Sequence, residues 1–135
     1  MVQQSTGHRL DITIESHLLS FVWLGEAKKQ KGNAYFTEGL RQLLNRYSQG
    51  SPGRDQGGLM LYLTKGNAVK AMTAWKQALD TDEQCRTTPC AKRDGLAFFS
   101  THKHPRSGRP YRIRHMGVML HFAPDDRSAR NAAAR

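Results

Sequence analysis

FFSTHKHPRSGRPYRIRHMGVMLHF, residues 98–122, is the stretch whose reading decides the fold. Tyr111 and Ile113 alternate with Arg112 and Arg114, a period of two that marks a strand with one apolar and one basic side. Leu96 to Ser100 reads as its partner strand, and Pro105, Gly108 and Pro110 punctuate the connection. The whole is a basic C-terminal β-hairpin. Further on, Val118, Leu120 and Phe122 fall out of step with Tyr111 and Ile113. A one-residue β-bulge near His115-Met116-Gly117 is the expected cause of that switch.

From His102 to His115 the hairpin carries Lys103, Arg106, Arg109, Arg112 and Arg114, three histidines and no acid. Like charge at that density must be neutralised by a partner or stay in water. The formal net charge is +10, and 10 of the 21 basic residues but only 3 of the 11 acidic ones fall in residues 91–135. A bias confined to one third of a chain points to a polyanion-binding face. Arginine offers a planar fork of donors that matches phosphate oxygens, and Tyr111 among the arginines is expected to stack on a base. Lys28, Lys29 and Lys31 are expected to extend the patch. The leading expectation is a small non-enzymatic protein that binds DNA or RNA backbone, as a mobile-element accessory factor or a subunit of a nucleoprotein complex. No helix-turn-helix unit, RNA-recognition motif or zinc-finger spacing accompanies the charge.

Upstream, Leu10, Ile12 and Ile14 alternate with polar residues as a half-buried strand does. The run from Ser16 to Leu24 is read as continuing strand, ending at Gly25, with Lys28 to Gly32 as a connection. Asn33 is placed as the cap of a helix whose stripe is Phe36, Leu40, Leu43, Leu44 and Tyr47. Gly39 inside that helix costs about 1 kcal/mol against alanine, which implies close packing on a neighbour. Residues 48–58 form a glycine-rich surface loop, and Leu59 to Leu63 a buried strand. Asn67 caps a second helix, striped by Val69, Met72, Trp75 and Leu79. Residues 83–94 read as irregular. The fold class is therefore α+β: two helices packed on a small, mostly antiparallel sheet. One domain spans residues 9–122, between a disordered segment 1–8 and a mobile, alanine-rich basic tail 123–135.

Other chemistries are weighed on the same residues. His102, His104 and His115 beside Lys103 and the arginines have the residue types for metal-independent RNA cleavage, so a small RNase or toxin-like enzyme is the second reading. A metal-dependent nuclease needs clustered carboxylates, and the 11 acidic residues show no familiar spacing. Cys85, Cys90, His102 and His104 form C-x4-C-x11-H-x-H, wider between cysteines and narrower between histidines than zinc usually takes. The glycines of 50–58 lack the lysine and hydroxyl residue of a phosphate-binding loop. No cofactor is expected. A third reading is an interaction or inhibitor protein docking an acidic partner. No apolar run is long enough for a bilayer and two cysteines are few, so the chain is expected to be cytoplasmic, with reduced thiols and no membrane partner.

Overall fold

The computed structural model describes residues 11–120 and the short strand Val2–Gln3. Seven strands follow in chain order: β1 (Val2–Gln3), β2 (Ile12–Ser16), β3 (Phe21–Lys29), β4 (Gln56–Leu63), β5 (Cys85–Pro89), β6 (Ala97–Lys103) and β7 (Pro110–Met119). They form one mixed sheet in the order β1-β2-β3-β4-β7-β6-β5. The β3/β4 and β4/β7 pairs are parallel and the others antiparallel. Helix α1 (Asn33–Arg41) continues as a π-helical segment, Gln42–Tyr47, and supplies the crossover that a parallel β3/β4 pair requires. Helix α2 (Ala68–Asp80) starts after the Asn67 cap, whose side chain accepts from the Lys70 amide at 3.1 Å. The class is α+β, with both helices on one face of the sheet.

Because cross-strand partners share a face, the register sorts the side chains. On the helix-covered face a row runs Glu26, Leu59, His115, Phe98 and Pro89. On the open face one row runs Ile14, Trp23, Gln56, Arg112, Thr101 and Arg86, and the next Ile12, Gly25, Gly58, Arg114, Phe99 and Thr88. The core lies between helices and sheet: Phe36, Leu40 and Leu43 from the first helical segment, Met72, Trp75 and Leu79 from α2, and Leu59, Leu61, Leu63, Phe98, Tyr111 and Ile113 from the strands. Phe36 meets Trp75 edge-on at 5.6 Å. Gly39 explains itself in this packing, since a Cβ there would lie 2.8 Å from Lys28 Cγ and 3.1 Å from Leu59 Cδ1.

Several local expectations change. The hairpin forms, but its ladder runs unbroken from Ala97–Met116 to Lys103–Pro110 and β7 alternates regularly through Gly117, so the bulge expected near His115-Met116-Gly117 is absent. Met116 and Val118 instead lie on the open face, which is partly apolar at that end. Strand β3 does not stop at Gly25 but runs on through Lys29, pairing with β4. The expected Asn33 cap falls inside the helix, and Gly32 precedes it without a side-chain cap. Part of the irregular stretch 83–94 is β5, an edge strand on β6. Within 1–8, Val2–Gln3 pairs with β2. The rest of that segment, Phe122 and the tail 123–135 lie outside the described residues. Among the described residues no helix is long and apolar enough to cross a membrane.

Candidate functional site

On β3, Leu24, Glu26 and Lys28 alternate toward the helices, while Ala27 and Lys29 point to the open face. Two charges are thereby carried into the core side of a strand, beneath α1. Glu26 is 5% exposed and Lys28 8%. The Lys28 ammonium lies 3.7 Å from Glu26 Oε1 and 4.7 Å from the centroid of the Tyr35 ring. Glu26 Oε2 is sealed from water and has no hydrogen-bond partner. Asp11, entering β2 beside this point, accepts the Ala27 amide through Oδ2 at 2.7 Å. Its charge therefore sits one residue from Glu26. Burial first, then repulsion from Asp11, pushes the Glu26 carboxyl up from 4.5 to about 7, against the pull of Lys28. Asp11 also borders a cleft of about 660 Å³ whose walls include Ala27, Lys29, Lys31, Tyr35 and Tyr62. Lys31 shares the Tyr35 ring, at 4.9 Å. Toward the end of β3, Asp11 thus borders a cation-rimmed cleft while the Glu26–Lys28 pair lies buried beside it.

Sequence reasoning missed this cluster. Asp11 and Glu26 are far apart along the chain and meet only because β2 and β3 form a hairpin, with Ile12 opposite Gly25. The available signal was the period-two continuation from Leu24 through Glu26 to Lys28. It puts an acid and a base at core-facing positions of one strand, where charge is expensive unless it has a use.

The three histidines proposed for acid-base work are all buried. His115 is fully buried: Trp75 Nε1–H donates to its Nδ1 at 2.9 Å, and its Nε2 meets Ser100 Oγ at 2.7 Å. The indole can only donate, so His115 is neutral with its proton on Nε2, which donates to Ser100. The Ser100 hydroxyl in turn donates to His102 Nε2 at 2.6 Å. Burial, with His102 nearby, pushes His115 down to about 3. His102 is also held below its ordinary value by burial, and its Nε2 lies 3.9 Å from Cys85 Sγ. His104 Nδ1 accepts the Arg106 amide at 3.1 Å, and its Nε2 meets Ser48 Oγ at 2.7 Å, so it pins the hairpin loop. Five of their six ring nitrogens have hydrogen-bond partners within the fold, and His102 also lines a cleft of about 440 Å³ with Cys85, Arg86 and Lys103. The four residues weighed for zinc do not come together either: Cys90 lies beside Arg114 and His104 beside Ser48. Among the described residues no three His, Cys, Asp or Glu side chains converge.

The basic residues divide between two faces. Lys103, Arg112 and Arg114 project from the open face, as the alternation with Tyr111 and Ile113 implies, and Lys29 lies on the same face beyond β4. The Arg112 guanidinium stacks over the Phe99 ring at 3.8 Å, and Arg114 sits 5.9 Å from the same centroid. Arg109 is exposed in the loop. Arg106 instead reaches across to the end of the first helical segment, donating to the Asn45 carbonyl at 2.7 Å and the Ser48 carbonyl at 3.4 Å. Lys28 is in the buried cluster and Lys31 at the cleft. Tyr111 is fully buried in the core, its hydroxyl donating to the Gln56 carbonyl at 3.2 Å, so it cannot stack on a base. The aromatic side chains on the open face are Phe21, Trp23, Tyr62 and Phe99, of which Trp23 and Phe99 lie nearest Arg112 and Arg114 in the register. Comparison with protein-family models, with curated proteins and with solved structures found no match to this chain.

Proposed function

We propose that this chain hydrolyses phosphodiester bonds in nucleic acid, with a divalent cation held by Asp11 and Glu26 and with the buried Lys28 charge beside Glu26. The observation that carries the reading is Glu26: a carboxylate whose Oε2 is cut off from water and from any donor, placed beside a second carboxylate. A structural ion pair between Glu26 and Lys28 engages Oε1 alone. A cation would give the second oxygen its partner and offset the repulsion from Asp11. Mg2+ is held by one or two carboxylates plus substrate phosphates, and Asp11, which borders the cleft, would be the carboxylate on its open side. The cation would polarise the phosphate and activate water. From beside Glu26, Lys28 would offset charge that builds on the non-bridging oxygens. Water adds to phosphorus with loss of a proton to solvent, the bond from phosphorus to one sugar oxygen breaks, and that oxygen leaves with a proton from solvent. Lys29 and Lys31 at the cleft, and the net charge of +10, support a polyanionic substrate.

The test is incubation of labelled single- and double-stranded DNA and RNA with Mg2+ or Mn2+, and with chelator. Cleavage with metal, abolished by chelator and by Glu26→Gln, Asp11→Asn or Lys28→Met, is the expected result. Cleavage that survives in chelator, or that Glu26→Gln leaves intact, overturns the reading. A second reading, binding without hydrolysis, is favoured by the cations of the open face. It prevails if all four nucleic acids stay intact with metal while binding persists with a steep salt dependence.

A further inference from the structure

Among the described residues no helix crosses the open face of the sheet, and its make-up is unusual. Among the described strand positions on that face, Arg86, Lys103, Arg112, Arg114 and Lys29 are cationic and none is acidic. Two of its aromatic side chains, Trp23 and Phe99, lie against flat neighbours. The Trp23 indole covers Gly25 and Gly58 so closely that a Cβ at Gly25 would lie 2.8 Å from the ring, and a side chain at Gly58 would overlap it. Both glycines thus make a floor on which the indole rests, half-exposed. Two rows toward the other edge, the Arg112 guanidinium is stacked on Phe99, presenting a second flat, cationic surface. Arg114 between them has its Nε shielded from water and without an acceptor.

We infer that this face is a platform for single-stranded nucleic acid, with bases stacked on Trp23 and on the Arg112–Phe99 pair and phosphates met by Arg86, Lys103 and Arg114. The inference deepens the hydrolytic reading, on which it rests for its nucleic-acid substrate, by naming the strand form. A flat aromatic surface is useful only to bases that are out of a duplex, and stacking is tolerant of sequence. The charge complementarity is one-sided: cations alternate with flat rings over four strands and no described strand position of the face is acidic, with Glu83 the acid that shares a cleft with Arg86 and Lys103 at the far edge. The platform leads to the cleft. Ile12, Ala27 and Tyr62 lie on the open face and also line the cleft that Asp11 borders, so a strand crossing the face reaches Asp11 at the edge of the sheet.

The experiment is a titration of the full chain, in chelator, with a thymidylate oligonucleotide and with the corresponding thymidylate–adenylate duplex. Stacking quenches Trp23 emission, while buried Trp75 supplies a constant background. The single strand is expected to quench and to bind at least about tenfold more tightly than the duplex. By labelled-oligonucleotide anisotropy, Trp23→Leu and Phe99→Leu are each expected to weaken binding roughly 5- to 100-fold, with the circular dichroism spectrum unchanged. Equal or tighter duplex binding without quenching overturns the platform, as does unchanged affinity in a folded Phe99→Leu variant. A stable dimer in sedimentation that shields Trp23 from a soluble quencher also overturns it, assigning the face to a second copy. Metal-dependent cleavage with unaltered affinity in both variants sinks the platform alone. Quenching and weakened variants without any cleavage sink the hydrolytic reading alone.

Discussion

His115 → Gln tests the buried relay with a number attached. The wild-type imidazole accepts from Trp75, donates to Ser100, stacks on Phe98 at 4.5 Å and is held down to about 3 against an ordinary 6.5. The folded value is below the unfolded one, so between them the unfolded chain binds the extra proton. The stabilisation is therefore complete above about pH 6.5 and is lost as the pH falls toward 3. Going from about pH 7 to about pH 4.5, this group alone removes about 2–3 kcal/mol from the folding free energy. His102, shifted the same way by burial, acts in the same direction. A glutamine keeps one acceptor for Trp75 and one donor for Ser100 but does not titrate. It forfeits the ring contacts, worth roughly 1–2 kcal/mol. Urea unfolding followed by circular dichroism should find the variant less stable near neutrality and equal to or more stable than wild type near pH 4.5. A stability gap that is the same at both pH values refutes the neutral, Nε2-protonated assignment.

Further outcomes are expected elsewhere. Gly39→Ala gains about 1 kcal/mol of helix propensity but drives a Cβ to 2.8 Å from Lys28 Cγ. Thermal melts should move by only a few degrees, while metal-dependent cleavage falls by about tenfold or more because the lysine is displaced. Gly50 has φ 71°, and a side chain there would overlap the His104 ring, so Gly50→Ala should cost about 2 kcal/mol or more in urea unfolding. Arg106→Ala removes the bonds to the Asn45 and Ser48 carbonyls and should cost about 2 kcal/mol of stability by the same assay. Three phosphate contacts to a single strand give a logarithmic salt slope of about −2; Arg114→Ala should reduce it by about 0.7 and Arg106→Ala should leave it unchanged.

The hairpin was legible because its signals are local: alternation along Tyr111 to Arg114, and prolines and glycine at the turn. The outward placement of Arg112 and Arg114 follows from the same alternation. The second helix was legible for similar reasons, the Asn67 cap and Met72, Trp75 and Leu79 of its stripe lying within one segment, although Val69 of that stripe is exposed. What escaped depends on partners distant in sequence. The parallel placement of β4 between β3 and β7 is set by packing under the helices, not by any residue within β4. Lys28 looked like part of a basic connection because it is followed by Lys29 and Lys31, yet strand parity takes it inward with Glu26. The histidines resembled an acid-base set because they cluster in the chain. In the fold they become the hydrogen-bonded interior of the hairpin, and Tyr111, counted among the arginines, turns its back on them. Arg106 shows the same limit: its charge was evident, but the carbonyls of Asn45 and Ser48 that claim it were not.

The most direct measurement is the rate of cleavage of a labelled single-stranded oligonucleotide by wild type and by Glu26→Gln in millimolar Mg2+ or Mn2+, with parallel reactions in chelator. The account predicts products only for wild type with metal, and an intact strand still bound by the variant. An intact strand in every reaction, or equal cleavage by both proteins, contradicts the assignment of Asp11, Glu26 and Lys28 as the centre of this molecule's chemistry.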